Sequence, residues 1–201
     1  MDSMVVEPSF RSEETFSQVD FRCWLDRRPA ADVHRYELIR GRIVMSPPSG
    51  AHHGHVGSEI NGLLREHVKT RGLGLLFDAS TGFELPSGDT LEPAVAFVSR
   101  ERWEAGPRPA ANDFLRIVPV LVVEILSPST ERRDRTEKLE IYARNGVDEC
   151  WLVDVQRREI TVLPRTGGVF ARLATASAGR IPSRVLPQLD AHVEDVFADL
   201  D

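Results

Sequence analysis

Val118-Pro119-Val120-Leu121-Val122-Val123-Glu124-Ile125-Leu126-Ser127-Pro128-Ser129-Thr130 is the stretch that decides the fold class. Residues 118–126 form a nearly continuous apolar run, which fits a central strand buried on both faces. Residues 127–130 make a turn. Residues 133–145 read as a helix, with Gly146 just beyond its end. Residues 149–155 and 159–163 are two more strands around a tight Gln156-Arg157-Arg158 turn, and 170–173 adds a further short strand. Strand, helix and strand in close succession predict a crossover that joins neighbouring strands.

Upstream, residues 1–14 are polar and acidic and are expected to be a flexible N-terminal segment. Residues 15–28 predict a helix with Phe16, Val19 and Cys23 on one face, ended by Arg28 before Pro29. Residues 36–39 and 42–45 flank Gly41 as a hairpin. Residues 46–50 are a break, and 52–69 carry Val56, Ile60, Leu63, Leu64 and His67 at helical spacing. Gly72 and Gly74 stop that helix. Residues 75–77, 81–85 and 95–98 read as strands, 101–113 as a surface excursion and 193–200 as a short acidic helix. The pattern predicts one α/β (α+β) domain over 15–201, a central sheet with helices packed on it.

The 201 residues are 41% hydrophobic and 28% charged, a globular mixture that makes disorder, collagen and coiled coil poor descriptions. The longest apolar run, 117–126, is too short to span a bilayer, so no membrane partner is expected. Cys23 and Cys150 are far apart and lack metal-ligand spacing, as expected of two free thiols in a reducing cytoplasm. The N-terminus lacks a basic stretch followed by an apolar one and does not read as a signal peptide. Lys plus Arg number 25 against 31 Asp plus Glu, a net charge of −6. A whole-surface basic character is excluded, so a nucleic-acid partner needs a local basic face or a metal.

Glu124 is the most informative residue, because every neighbour in Val-Leu-Val-Val-Glu-Ile-Leu is apolar. A carboxylate there must be paired, hydrogen-bonded or on a cation. It is either a site residue or a structural ion pair. Lys138 on the next helix is its natural partner, with Asp134 and Tyr142 four residues away on either side and so on one face. The plainer reading is a solvated lysine on a helix rich in mixed charges. Glu37 faces opposite to Tyr36 and Leu38, and the plainer reading is an outward strand residue. His52, His53 and His55 lack the spacing of a tetrahedral zinc site and fit a solvated or phosphate-facing helix N-terminus.

Several motifs then fall in a recognisable order: Tyr36-Glu37-Leu38-Ile39-Arg40-Gly41; Met45-Ser46-Pro47-Pro48-Ser49 with His52 or His53 after it; Glu92-Pro93-Ala94-Val95-Ala96-Phe97-Val98; and Val123-Glu124-Ile125-Leu126-Ser127-Pro128-Ser129. Lys138, Tyr142 and Gly146-Val147-Asp148-Glu149-Cys150-Trp151-Leu152-Val153-Asp154 complete it. In this order, over about 36–200, they resemble the Uma2 family (DUF820) of restriction endonuclease-like proteins in the PD-(D/E)XK nuclease superfamily. The resemblance implies a restriction-endonuclease-like fold in which a mixed central sheet is flanked by helices, with DNA as substrate, Mg²⁺ or Mn²⁺ as cofactor and a homodimer. Its site residues carry over to Glu37, position 94, Glu124 and Lys138, with the Ile125 carbonyl as a further metal ligand. Oxygen-ligated hard cations offset the charge that develops during phosphodiester hydrolysis, and a lysine orients the water or holds the phosphate.

One position departs from the pattern. The family expects Pro-Asp, and this chain has Pro93-Ala94 with its flanks intact. Either the alanine is an engineered inactivating change, or the chain is a natural pseudo-nuclease. Glu92, two residues away, is a poor substitute on the same side of a strand. Three functions follow: a metal-dependent endonuclease impaired by Ala94, an inactive nucleic-acid-binding or regulatory module, or a structural protein with an acidic surface. Arg157, Arg158, Arg165, Arg172, Arg180 and Arg184 are candidate phosphate contacts for the second, or plain solvated residues.

Overall fold

In a computed structural model that describes residues 10–200, the chain opens with α1 (Gln18–Leu25) and a hairpin of β1 (Arg35–Ile39) and β2 (Arg42–Ser46). The long helix α2 (Ala51–Thr70) follows, then β3 (Gly74–Asp78), β4 (Phe83–Glu84), β5 (Thr90–Leu91), β6 (Val95–Ser99) and α3 (Arg100–Ala105). After β7 (Leu121–Leu126), α4 (Glu131–Arg133) runs through a π-helical turn (Asp134–Lys138) into α5 (Leu139–Asn145). β8 (Glu149–Asp154), β9 (Glu159–Thr166), β10 (Val169–Phe170), β11 (Ala174–Ala176) and α6 (Val193–Val196) close the chain.

The expected central strand is there, and all six residues of β7 are buried. It pairs in parallel with β8, with Glu124 opposite Leu152, and antiparallel with β6, with Val123 opposite Val95. The helical run between β7 and β8 is the predicted crossover. The larger sheet has the order β10-β9-β8-β7-β6-β3, with β11 also on β9. A second sheet of order β2-β1-β5-β4 packs beside it.

Strand alternation sorts the core into two layers. Val123 and Ile125 meet Val56, Ile60, Leu64 and Val68 of α2 on one face. Val122 and Leu126 meet Ile141 and Tyr142 of α5, with Ile39, Phe83 and Leu91 of the smaller sheet, on the other. Each such buried side chain contributes about 1.5–3 kcal/mol. Glu124 has the parity of Val122, so it points into the layer beneath α5. Buried Glu149 accepts from the Trp151 indole (2.8 Å), the Ser183 hydroxyl (2.6 Å) and the Arg184 N–H (2.7 Å), which pins the C-terminal segment to β8.

The boundaries differ from the expectations for local reasons. α1 starts at the Ser17 capping box with Asp20, because the Phe16 N–H is already bonded to the Gly41 carbonyl. Arg40 and Gly41 both have positive φ, as a two-residue hairpin turn requires. β7 begins at Leu121 rather than 118, since Pro119 has no N–H to give a ladder. The surface excursion starts with a helical turn, α3, capped by the Ser99 hydroxyl. The strand expected at 170–173 is replaced by pairings of Val169–Phe170 and Ala174–Ala176 with β9. Residues 193–200 are helical only to Val196, and Asp199 has a positive φ. Residues 10–12, expected to be frayed, are tied to β2 by the Arg11–Val44 bridge and the Ser12 N–H to the Ile43 carbonyl. Residues 1–9 of that segment lie outside the described residues. No helix among the described residues is long and apolar enough to cross a membrane.

Candidate functional site

A pocket of about 180 Å³ opens where β1, the C-terminal end of β7, the segment before β6 and the π-helical turn meet the start of α2. Glu37, Ala94, Glu124, Ile125 and Lys138 all line it, so the five positions carried over from the family resemblance reach one place. Lys138 Nζ lies 2.7 Å from Glu124 Oε1, 2.9 Å from Glu37 Oε1 and 3.7 Å from Asp134 Oδ1. The Tyr142 hydroxyl donates to Glu124 Oε1 at 2.6 Å. Asp134, Lys138 and Tyr142 therefore share a helix face, as their spacing predicts.

Two plain readings of the sequence are overturned. Lys138 is 3% exposed, not solvated, and Glu37 is 5% exposed, not an outward strand residue. Both faces of β1 are covered, since Tyr36 and Leu38 pack under α1 while Glu37 meets the crossover. Its Oε1 also accepts the Glu92 backbone N–H at 2.9 Å.

The same geometry adds residues that the sequence left unmarked. Arg35 precedes Glu37 by two positions on β1, lines the same pocket, and holds the Glu92 carboxylate at 3.4 Å and its backbone carbonyl. The Arg35/Glu37 alternation was the signal that could have revealed it. Arg133 reaches Ser46 Oγ at 2.7 Å and Glu37 Oε2 at 3.9 Å. It stands five residues before Lys138, a spacing that an α-helix would send to another face. The π-helical turn between them is wider, with i to i+5 bonding, and lets both side chains face Glu37. Glu92 does line the pocket, but from the coil ahead of β6 rather than from the strand, because Pro93 cannot join the ladder. Of the three clustered histidines only His53 lines the pocket. His55 bonds the Ala198 carbonyl.

Burial and charge push these groups apart. Burial raises the Glu124 carboxyl, against the pull of Lys138. Burial also acts on Glu37, but Lys138, Arg133 and the Glu92 N–H outweigh it and hold Glu37 low. Lys138 is likewise desolvated, yet Glu124, Glu37 and Asp134 raise it, so its ammonium is secure. Burial lifts Glu92 to about 7 despite Arg35, and burial with Arg35 nearby lowers His53.

The family model described as "Uma2: Putative restriction endonuclease" matches residues 19–194. The chain belongs to the Uma2 family. A solved structure from Anabaena variabilis, titled a "putative nuclease belonging to DUF820", has a TM-score of 0.70 at 20% identity. The alignment covers 91% of this chain and 98% of that one, which supports the mixed-sheet nuclease-like fold. No curated protein matches the sequence.

The Uma2 resemblance implies a divalent cation held by Glu37, residue 94, Glu124 and the Ile125 carbonyl. The side chains present do not fit that cation. Position 94 supplies a methyl group, and Glu124 Oε1 and Glu37 Oε1 are already bridged by the Lys138 ammonium. Among the described residues no three His, Cys, Asp or Glu side chains are grouped to hold a metal. One basic donor in the pocket is nevertheless left open. The buried Arg133 Nε has no hydrogen-bond partner among the described residues, although Arg133 lines the pocket. A buried guanidinium donor left unpaired costs about 1–3 kcal/mol until an acceptor arrives.

The arginines marked as phosphate contacts are not part of this pocket. Arg157 pairs with Asp154 at 2.7 Å, Arg165 with Asp148 at 3.1 Å, and Arg180 bonds the Leu189 and Pro187 carbonyls.

Proposed function

We propose that this Uma2 pocket receives a phosphodiester group of DNA, and that the protein is an endonuclease whose hydrolytic step is impaired by Ala94. The observation that carries this reading is the buried Arg133 Nε, without a partner among the described residues, in a pocket that Lys138, Glu37 and Glu124 also line. Arg133 offers charge-assisted hydrogen bonds to phosphate oxygens. Lys138 orients the phosphate or the attacking water. Glu124, raised by burial toward the neutral range, is the proton acceptor. Position 94 lies where a further carboxylate would complete a site for Mg²⁺ or Mn²⁺. A homodimer belongs to the same reading, since the Uma2 resemblance implies one and closed two-fold pairs are the commonest oligomers.

The test is a paired cleavage assay. This chain and its Ala94→Asp variant are incubated with supercoiled plasmid and single-stranded DNA, with Mn²⁺, Mg²⁺ or EDTA. Cutting by the Asp variant with metal, and its loss with Glu124→Ala, is the expected result. Cutting that survives Glu124→Ala ends the proposal.

Ala94 itself favours a second reading, an inactive nucleic-acid-binding module on the same scaffold. That reading expects salt-dependent DNA binding in EDTA and no cleavage even with Asp at position 94.

A further inference from the structure

A larger groove, about 650 Å³, opens beside the phosphate pocket and shares Arg35, Ser49, His53, Ala94 and Ile125 with it. Its volume falls in the roughly 300–1,000 Å³ range of sites that take small organic ligands. Gly54, Ser58, Asn61, Gly62 and Arg65 of α2 line it, spaced so that they fall along one helix face. We infer that this groove holds the unpaired nucleoside adjoining the phosphate in the Arg133/Lys138 pocket. The inference rests on the phosphodiester reading above and adds to it the strand state of the substrate and the residues that receive it.

Three observations carry it. The groove is continuous with the pocket, so a nucleoside attached to a phosphate there has this space to enter. Its lining is apolar where Ala94, Ile125 and the glycines lie, which suits the face of a sugar or base. Asn61 and Arg65 have no side-chain partner among the described residues. Asn61 offers both a donor and an acceptor to a base edge, and Arg65 offers a fork to the next phosphate. The carboxylate in the lining, Asp78, is engaged by the Ser80 N–H at 3.0 Å and hydroxyl at 2.5 Å.

The glycines sharpen the point. Glycine inside a helix is less stable than alanine, so a helix glycine needs a reason. Gly57 has one, because an added Cβ would stand 3.3 Å from Ile125 Cδ1. At Gly54 and Gly62 an added Cβ meets nothing within 4 Å. Protein packing does not demand either glycine, whereas an occupant of the groove would. A duplex presents its bases stacked and paired, so the nucleoside must be unpaired or turned out of the stack to enter.

The experiment measures fluorescence anisotropy of a short labelled single-stranded oligodeoxynucleotide and of a hairpin duplex, in EDTA at low salt. The proteins are the parent, Gly54→Leu, Gly62→Leu and the pocket variant Arg133→Met, each with its melting temperature. Gly54→Ala and Gly62→Ala accompany them as the mildest fillings, and decide the matter if either leucine variant melts early. The expected result is retained or raised melting temperature with about tenfold or greater loss of single-strand affinity in the groove variants, and a weaker duplex complex throughout. If Arg133→Met loses binding and the groove variants bind like the parent, the subsite is wrong and the phosphate pocket stands. If the duplex binds as well as the single strand and responds equally, the unpaired nucleoside is wrong. If the parent binds neither, the phosphodiester reading falls and takes the subsite with it.

Discussion

Lys138 Nζ sits 2.7 Å from Glu124 Oε1, so the crossover helix is tied to the central strand by a pair buried on both sides. The same ammonium reaches Glu37 on the smaller sheet at 2.9 Å. One cation thus joins three elements. The lysine shares this work with Arg133, which also lowers the Glu37 carboxyl, and with the Tyr142 hydroxyl, which bonds Glu124.

Removing the lysine should be costly. Lys138→Met leaves Glu124 and Glu37 buried without their counter-ion, and should lower the unfolding free energy by about 3–5 kcal/mol at pH 7. Urea denaturation measures it. The double variant Lys138→Met/Glu124→Gln should recover a good part of the loss, because one orphaned charge is gone.

The Tyr142 hydroxyl donates to the same Glu124 oxygen at 2.6 Å, and burial with the Glu124 charge raises its own pKa. Tyr142→Phe should cost about 1.5–3 kcal/mol, the range for a hydrogen bond to a charged group. A change below the error of the denaturation curve would mean that Lys138 alone satisfies Glu124.

Ala94→Asp should behave oppositely with and without metal. In EDTA it adds a carboxylate to a pocket that already holds Glu37, Glu92 and Glu124, so the melting temperature should fall. With Mn²⁺ at about a hundred times its dissociation constant, linkage should return about 2.7 kcal/mol. Differential scanning fluorimetry with an Mn²⁺ titration checks both signs, and the parent should respond much less.

Glu92 gives a pH signature. Its folded pKa, about 7, lies above the 4.5 of a free carboxyl, chiefly through burial. A carboxyl raised in this way favours the folded state most below pH 4.5, and that stability is lost as pH rises to about 7. Glu92→Gln should therefore remove a decline of about 3 kcal/mol over that window. Stability curves of parent and variant at pH 5 and pH 8 decide it, and a parallel pair of curves would contradict it.

Arg133→Met should weaken oligonucleotide binding at every sequence and reduce the salt slope by about one phosphate contact. An unchanged slope would place the phosphate elsewhere.

Much of this protein was readable along the chain. The apolar run of β7, the helix ended by Gly146, and the run of β8 already state a parallel crossover, because burial on both faces leaves no alternation and a helix must cover the sheet. The ordered motifs around Glu37, Pro93, Glu124 and Lys138 placed the chain among Uma2 proteins, and the alanine at 94 was visible as a missing carboxylate. The fold decided what periodicity does not carry. Glu37 turned inward because the helical crossover between β7 and β8, which carries Arg133 and Lys138, covers that face of β1. Arg133 joined Lys138 because the helix widens by one residue at Asp134–Lys138, a deviation with no sign in composition. Arg35 and Glu92 met because β5, which ends one residue before Glu92, pairs beside β1. Local sequence specifies which faces seek burial over a few residues. Which charges then stand together depends on strand order and on one turn of helix geometry, and both are set only when distant segments pack.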